Sequence, residues 1–380
     1  MSHTPTQLKI SGNNSAGLYW QAVFSLESYL NSPITAESLD WPVSATPPLT
    51  HANIRTLADD FQVDEEPPCL PSGEGEHIWL QIRKREMTTA DAARLLSKVS
   101  GLHPRHISFA GQKDRNAVTT QWFSVHFPGK QDIDFSSIWN DNFECLYKKR
   151  HDRKLKRGGL KGNAFKLVLR QCQGDKQAVT QRLQEIATGG VPDYFGEQRF
   201  GRGGSNLKLF DQLLSGRIPR GREKKAMLIS SARSWLFNQV LARRVKDATW
   251  NQILPGEAVV LAGCRSLFSA EIVDETIRQR VVKADIHPSG PLPGDDGFEV
   301  LNDALLLEQS VLNEYSDLIE ALCKQRVKGA RRPLRIVPED LDWQWQDDET
   351  LMLSFKLSPG AYATAVIREL AAYKDLRARG

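Results

Sequence analysis

One feature restricts the fold of this chain more than any other: a segment with helix caps lies between short segments in which apolar and other residues alternate. In "GEHIWLQIRK" the apolar residues Ile78, Leu80 and Ile82 alternate with other side chains, which is the period of a β-strand. The following segment predicts a helix, because Thr88 stands where an N-cap is preferred and Gly101 where a glycine ends a helix. Such a mixture of strands and helices predicts an α/β or α+β domain with a mixed sheet.

Other segments extend this pattern along the chain. Alternating apolar residues predict strands in "HISFA", "QWFSVHF", "NAFKLVLR" and "LMLSFKL". Apolar stripes predict helices at about 175–188, 224–246 and 300–325, and in the C-terminal "GAYATAVIRELAAYKDL". The 380 residues exceed one ordinary core, so we expect two domains. Residues 1–45 form an N-terminal extension whose role the sequence does not indicate.

Composition argues against several classes of protein. No window reaches the roughly 18 apolar residues that span a membrane, and the N-terminal residues lack the apolar core of a secretory signal. The five cysteines are dispersed without a C-x-x-C pair, and no H-E-x-x-H motif is present. We therefore expect a cytoplasmic protein with no metal site and no membrane partner.

Positive charge is concentrated along the chain although the net charge is only +4. Residues 148–157 carry seven Lys or Arg, and residues 326–335 carry five. Segregated positive charge attracts phosphate backbones, and aromatic rings interspersed with it can stack on unpaired bases. A single basic run is also typical of a solvated face. The pattern favours nucleic-acid binding without establishing it.

The loop "GQKDRNAVTTQW", residues 111–122, is the strongest candidate for chemistry. Gly111 permits an unusual backbone angle after a strand, and Lys113 and Arg115 are cations that favour an ionised Asp114. Two interpretations stay open. Asp114 either makes local hydrogen bonds as an Asx-turn residue, or it is a carboxylate held for catalysis.

The chain offers no second acid or base in a recognisable arrangement. We find no Ser-His-Asp pattern and no paired carboxylate motif. A lone ionised carboxylate suits chemistry at a sugar carbon, where positive charge develops as a base departs. It suits hydrolysis poorly, because hydrolysis needs a positioned water and a general base.

Several motifs together resemble one family. "GQKDRNAVTTQ" matches the G-x-K-D-x-x-A-x-T-x-Q signature of the TruD family of tRNA pseudouridine synthases. "DDFQVDE", "LKGNAF", "VPDYFGEQRFGRGGSN" and "SPGAYATAVIREL" resemble its other motifs in the same order. The resemblance runs from about residue 50 to the C-terminus.

The resemblance implies an α+β pseudouridine-synthase fold with a mixed, largely antiparallel sheet, and an inserted α/β TRUD domain. The catalytic domain would be discontinuous, formed by residues 46–188 and 338–380, with the insertion at 189–337. The family isomerises uridine at position 13 of tRNA, in the D arm, without a cofactor or metal. We expect a monomer whose partner is tRNA.

The resemblance also implies the site residues. Asp114 aligns with the essential aspartate of the family, and Phe61, Asn163 and Tyr362 align with positions that line the uridine pocket. Phe165 is a further candidate for stacking. The family often has a Lys a few residues before the Phe, where this chain has Arg55, and we assign Arg55 no catalytic part. Relatives can have Phe at position 362; we expect stacking to survive the change to Tyr, and the added hydroxyl to find a polar partner.

Two other function classes stay open at this point. A non-catalytic RNA-binding or RNA-chaperone protein would share the basic runs, but it would have no need for a complete pocket around Asp114. A glycosylase-type hydrolase would need a positioned water and a base, and the sequence indicates neither.

Overall fold

A ten-stranded sheet is the largest element of the computed structural model, which describes residues 39–129, 131–201, 204–217, 220–264 and 266–377. The strands in chain order are β1 (Leu49–Ile54), β2 (Phe61–Glu66), β3 (His77–Arg85), β4 (Ile107–Phe109), β5 (Val118–His126), β6 (Phe143–His151), β7 (Gly162–Gly174), β8 (Val191–Pro192), β9 (Glu257–Leu261), β10 (Leu267–Ala270), β11 (Ile286–Leu292), β12 (Ala330–Pro333), β13 (Arg335–Ile336), β14 (Glu339–Trp345), β15 (Leu351–Leu357) and β16 (Ala371–Asp375).

The helices lie mainly between these strands and after them. In chain order they are α1 (Thr89–Ser100), α2 (Lys176–Gly189), α3 (Phe210–Leu214), α4 (Arg222–Lys246), α5 (Glu275–Val282), α6 (Asn302–Leu312), α7 (Ser316–Lys324) and α8 (Ala363–Arg368). The predicted caps of α1 are confirmed. The Thr88 side chain accepts a hydrogen bond from the Asp91 backbone N–H, and Gly101 has a left-handed φ of 65°.

The large sheet has the order β14-β15-β7-β2-β5-β3-β6, while β1 pairs with β7 and β16, and β4 pairs with β5. Only two of these pairings are parallel among the described strands, β1 with β16 and β2 with β5. The predicted α+β class with a mixed, largely antiparallel sheet is therefore confirmed. The sheet contains strands from both the N-terminal and the C-terminal part of the chain.

Helices cover this sheet and provide its core. Leu167 and Leu353 of the central strands pack in one buried cluster with Leu183 of α2 and Val366 of α8. A second cluster joins Phe123 to α1. Burial of these apolar side chains is the main contribution to the stability of the sheet.

A smaller sheet, in the order β10-β9-β11-β12, lies in the segment between α2 and β14. The 25-residue helix α4 packs against strand β11 of this sheet. Phe237 of α4 lies so close to Gly290 of β11 that a Cβ added at Gly290 would be 2.9 Å from the Phe237 ring. Trp235 and Phe237 lie in the buried cluster of this segment.

The predicted C-terminal helix is wrong in its second half. Only Ala363–Arg368 is helical, and the chain then forms β16. This strand pairs in parallel with β1, with Leu49 opposite Ala371 and Ile54 opposite Asp375. The pairing gives the backbone groups of both strands hydrogen-bond partners, and such tertiary contacts can override the helix propensity of Leu370, Ala371 and Ala372.

The helix predicted at about 300–325 is interrupted. A 3-10 turn at Asn313–Tyr315 separates α6 from α7. Ala304 of α6 packs with Ala258 of β9, whereas Leu318 of α7 packs in the cluster that contains Trp235. Leu312 at the end of α6 packs in that same cluster, so α6 contacts both clusters and α7 only continues along the second.

The end of the predicted N-terminal extension is docked, while residues 1–38 lie outside the described part of the chain. The Trp41 ring stacks on Tyr194 with centroids 5.9 Å apart, and the Ser44 hydroxyl donates to Glu369. None of the described helices combines the length and the apolar character needed to cross a bilayer.

Candidate active site

The loop between β4 and β5 carries Asp114 and is held by side chains from neighbouring elements. Gln121 Nε2 donates to the Gly111 carbonyl at 2.6 Å, and the Lys113 backbone N–H donates to Thr89 Oγ1 at 2.9 Å. The prediction of an unusual backbone angle at Gly111 is wrong, because its φ lies outside the left-handed region. Long-range hydrogen bonds, rather than a glycine turn, fix the position of the loop.

Lys113 does not pair with Asp114 as its sequence position suggests. Its ammonium lies 2.7 Å from a carboxylate oxygen of Glu65 on β2, and both side chains are almost fully buried. The Glu65 carboxylate also accepts from the Trp122 backbone N–H at 3.2 Å. This buried pair ties the loop to the sheet.

Arg55 supplies the cation that contacts Asp114, a contact that the sequence analysis did not predict, while its having no catalytic part stays a prediction. Its Nη2 donates to Asp114 Oδ2 at 3.0 Å, and its Nη1 donates to Asp375 on β16. The guanidinium also lies over the Phe61 ring, 3.9 Å from the centroid. Arg55 has a φ of 55°, an unfavourable backbone angle for a non-glycine residue, and such angles cluster at functional sites.

Asp114 is the accessible member of this charged group. Its side chain is 37% exposed, against 17% for Asp375 and 8% for Arg55. A substrate can therefore reach the Asp114 carboxylate while the guanidinium holds it from behind. The geometry fits a carboxylate that is reachable from solvent and has a fixed orientation.

Two phenylalanines lie beneath this group. The rings of Phe61 and Phe165 meet edge to face at 6.5 Å, and Phe165 stacks on Phe355 at 5.5 Å. Phe61 and Phe165 are both buried. Arg55 covers a face of Phe61 and Phe355 covers a face of Phe165, so these contacts support the site. Their direct stacking on a base stays a prediction.

Asn163 lies at the start of β7, in register with Glu65 of β2 and Leu357 of β15. It points to the same face of the sheet as Phe165, two residues later. Its Oδ1 is buried and has no hydrogen-bond partner within the described residues. A buried amide oxygen without a partner is costly, so this oxygen is free to accept a hydrogen bond from a ligand.

Tyr362 directly precedes α8, and in the described part of the chain no hydrogen bond or ring contact joins it to Asp114, Arg55 or Phe61. Its hydroxyl accepts from Arg199 Nη2 at 3.4 Å, which confirms that it has a polar partner. Its ring lies 6.5 Å from Phe195, while the next residue, Ala363, packs with Phe165. Tyr362 thus lies between the buried cluster that contains Phe165 and the buried cluster that contains Phe195.

Lys84 on β3 is a buried cation close to the site that the sequence analysis missed. Its ammonium donates to the Met87 carbonyl at 2.7 Å, and the residue is 1% exposed. Burial lowers the pKa of Lys84 to about 8, and the positive charge of Lys113 adds to this effect.

The basic run at 148–157 is only partly available to a ligand. Lys148 pairs with Asp132 at 2.7 Å, and Arg150 donates to the Gly75 and Phe127 carbonyls. The remaining exposed members with no ion pair in the described part of the chain are Lys149, Lys154, Lys156 and Arg157. Among the described residues, no group of three or more His, Cys, Asp or Glu is arranged to hold a metal ion.

Comparison with known proteins places this arrangement in a family. The sequence model of the family tRNA pseudouridine synthase D (TruD) matches residues 43–218 and 221–370. This chain belongs to the TruD family. A tRNA pseudouridine synthase D from Nitrosococcus oceani is 45% identical over 327 residues, which are 85% of this chain and 91% of that protein. One from Xanthomonas euvesicatoria pv. vesicatoria is 44% identical over 340 residues, with 85% and 92% covered.

A solved TruD structure shares the fold. The crystal structure of a TruD protein from Methanosarcina mazei aligns with a TM-score of 0.68 over 89% of this chain and 98% of that one, at 21% identity. Near Asp114, the sequence analysis missed Glu65, Lys84 and the contact that Arg55 makes. A signal existed for Arg55, since a cation precedes the Phe of the first TruD motif.

Proposed function

We propose that this chain isomerises a uridine of tRNA to pseudouridine and that Asp114 is its catalytic carboxylate. The observation that supports this most is the exposed Asp114 carboxylate, held by Arg55 on a loop that the sheet anchors. Membership of the TruD family supplies the substrate class. We further propose uridine 13 of the D arm as the target, as the motif resemblance implies.

The chemistry requires one bond to be exchanged for another at the same sugar carbon. The N1–C1′ bond of the uridine breaks, the detached uracil turns, and C5 bonds to C1′. The C5 proton is then lost and N1 gains one, so the net composition is unchanged. Asp114 either bonds to C1′ while the base turns or stabilises the positive charge there, and both routes need it ionised.

The neighbouring groups have distinct parts in this proposal. Arg55 is a positioning residue that fixes the Asp114 carboxylate, and Asp375 neutralises the second arm of the guanidinium. Asn163 binds the base, because its amide can accept from the uracil N3–H and donate to a carbonyl of the same edge. Tyr362 lies beside the base or ribose, oriented by Arg199.

We also propose the division of the chain into a discontinuous catalytic domain, residues 46–188 and 338–380, and an insertion at 189–337. The large sheet draws its strands from the first two segments, and the smaller sheet from the third, which supports this division. We propose that the protein acts in the cytoplasm as a monomer and needs no cofactor.

The experiment is incubation of the protein with unmodified tRNA transcripts, followed by mapping of pseudouridine at single-nucleotide resolution. We expect one new pseudouridine, at position 13, and none in a matched transcript with cytidine there. Pseudouridine at another position would contradict the assignment of the target. Binding of tRNA without any conversion would support a non-catalytic RNA-binding protein instead.

A further inference from the structure

An open cavity of about 490 Å³ lies beside Tyr362, and of its lining residues only Arg199 has a part in the proposed reaction. One wall is a face of α4, where Ala226, Ser230 and Ser234 recur at a spacing of four residues. These small side chains leave the space that larger ones would fill. The other lining residues are Phe195, Arg199, Ile229, Arg233, Leu292 and Val327.

The cavity is connected to the candidate active site through one side chain. Arg199 donates to Ser230 Oγ in the cavity at 3.0 Å, and at 3.4 Å to the hydroxyl of Tyr362, which the proposed function places beside the target nucleotide. A strand whose target nucleotide lies against Tyr362 therefore brings an adjacent nucleotide to the cavity. This argument rests on the proposed function, because it takes RNA as the substrate.

The polar groups of the cavity are mainly donors and carry positive charge. Arg199 and Arg233 both line it, neither is in a salt bridge within the described residues, and the lining contains no acidic residue. The Nε–H of each arginine is buried with no acceptor in the described part of the chain. Burial lowers the pKa of Arg233, which makes an acceptor-rich ligand more favourable there.

The apolar groups decide what kind of acceptor fits. Ile229, Leu292 and Val327 form apolar walls, with which a bare phosphate would make no favourable contact. A nucleobase has flat apolar faces and an edge of carbonyl and ring-nitrogen acceptors, which match the walls and the arginine donors. Its size also suits a cavity of this volume.

We propose that this cavity receives an unstacked base of the RNA strand, from a nucleotide next to the target uridine. The base lies between α4 and the Leu292–Val327 wall, and Arg199 and Arg233 donate to its edge. The cavity then fixes the register of the strand, so that the target uridine faces Asp114.

The test combines cavity variants with tRNA that lacks single bases. Unmodified tRNA is assembled from synthetic halves with one abasic nucleotide at each D-arm position in turn, which removes the base and keeps the phosphate. Wild type should lose about tenfold in affinity at one position next to the target, the scale of one base contact. Ala226→Trp, which fills the cavity mouth, should bind intact tRNA about tenfold more weakly and be insensitive to the base at that position.

Two matched control variants test whether an added ring or a lost positive charge weakens tRNA binding when the change lies outside the cavity. Met227→Trp adds the same ring at the next residue, which is exposed and outside the lining, and should bind like wild type. Arg233→Gln should repeat the effect of Ala226→Trp. Arg243→Gln removes the same charge from the same helix, where Arg243 pairs with Asp247, and should bind like wild type.

Two results would overturn the proposal: cavity variants that bind intact tRNA as wild type does, or variants that stay as sensitive as wild type to every missing base. If Ala226→Trp does not fold, Arg233→Gln against Arg243→Gln decides. Pseudouridine is measured in parallel. A wild type that forms none contradicts the proposed function, whereas the cavity is judged from binding alone.

Discussion

Arg55 lies between the carboxylates of Asp114 and Asp375 while its guanidinium covers the ring of Phe61. At the scale of single residues, this arrangement explains how Asp114 keeps one orientation although much of its side chain is exposed. One arm of the guanidinium donates to Asp114 and the other to Asp375, so the cation that contacts Asp114 is itself held in place by a second carboxylate. The orientation of the proposed catalytic carboxylate therefore depends on Arg55 as well as on the Asp114 loop.

Replacement of Arg55 tests its positioning role. We expect Arg55→Gln to lower kcat about 10- to 100-fold with little change in KM, because a misplaced carboxylate costs rate rather than tRNA binding. Arg55→Lys should retain more activity, since it keeps the charge but not the fork. The control is Arg85→Gln, which breaks the exposed pair with Asp59. Equal kcat values for Arg55→Gln and the control would contradict the role.

Lys84 predicts a dependence of stability on pH. Below pH 8 its amine is charged in both the folded and the unfolded chain, and the folded state carries the full cost of burial. Between about pH 8 and 10.5 only the unfolded chain keeps the proton, so the free energy of unfolding rises with pH. Relative to Lys84→Met, wild type should gain about 3 kcal/mol over this window in urea unfolding. Parallel pH profiles of the two proteins would contradict the prediction.

At the scale of elements, a buried ion pair joins α4 to the smaller sheet. Arg244 on α4 and Glu257 on β9 lie 3.2 Å apart and are both buried. Glu257 also accepts from the backbone N–H groups of Leu254 and Ser289. The helix and two strands therefore depend on one carboxylate.

Glu257→Gln should destabilise this part of the protein strongly. The change leaves the buried Arg244 charge without its partner, at a cost of about 3 kcal/mol. Arg243→Gln, one residue earlier than Arg244 on the same helix, breaks an exposed pair and should cost less than about 1 kcal/mol. Urea unfolding measures both. Equal losses would show that the buried pair does not hold these elements together.

At the scale of the whole molecule, the sequence predicts local elements better than long-range contacts. Strands such as β3 and β15 are predictable because alternate residues face a core within one segment. β16 is not, because its partner β1 lies near the other end of the chain. The same holds for the site. Asp114 and Asn163 lie in local motifs that can be recognised in the sequence, whereas the contact of Asp114 with Arg55 joins distant residues and is seen only in the folded sheet.

At the same scale, we expect the exposed, unpaired lysines of the run at 148–157 to contact the phosphate backbone of the RNA. We expect the triple replacement of Lys149, Lys154 and Lys156 by Gln to weaken tRNA binding. Each lost phosphate contact should reduce the slope of log affinity against log salt by about 0.7 to 0.9.

A matched triple replacement controls for net charge. Lys176, Lys324 and Lys356 are exposed and paired with acidic residues elsewhere on the surface, so their replacement by Gln should leave the slope unchanged. Equal slopes for the two triple variants would mean that the run at 148–157 is a solvated face.

The most direct test of the central claim compares two carboxylates that share Arg55. Asp114→Asn and Asp375→Asn are each assayed for pseudouridine formation in a single turnover on saturating unmodified tRNA, with tRNA affinity measured alongside. Asp114→Asn should bind tRNA within about threefold of wild type and lose more than about 1,000-fold in rate, whereas Asp375→Asn should keep its rate within about tenfold. An Asp114→Asn protein that keeps its rate within about tenfold of wild type would contradict the account.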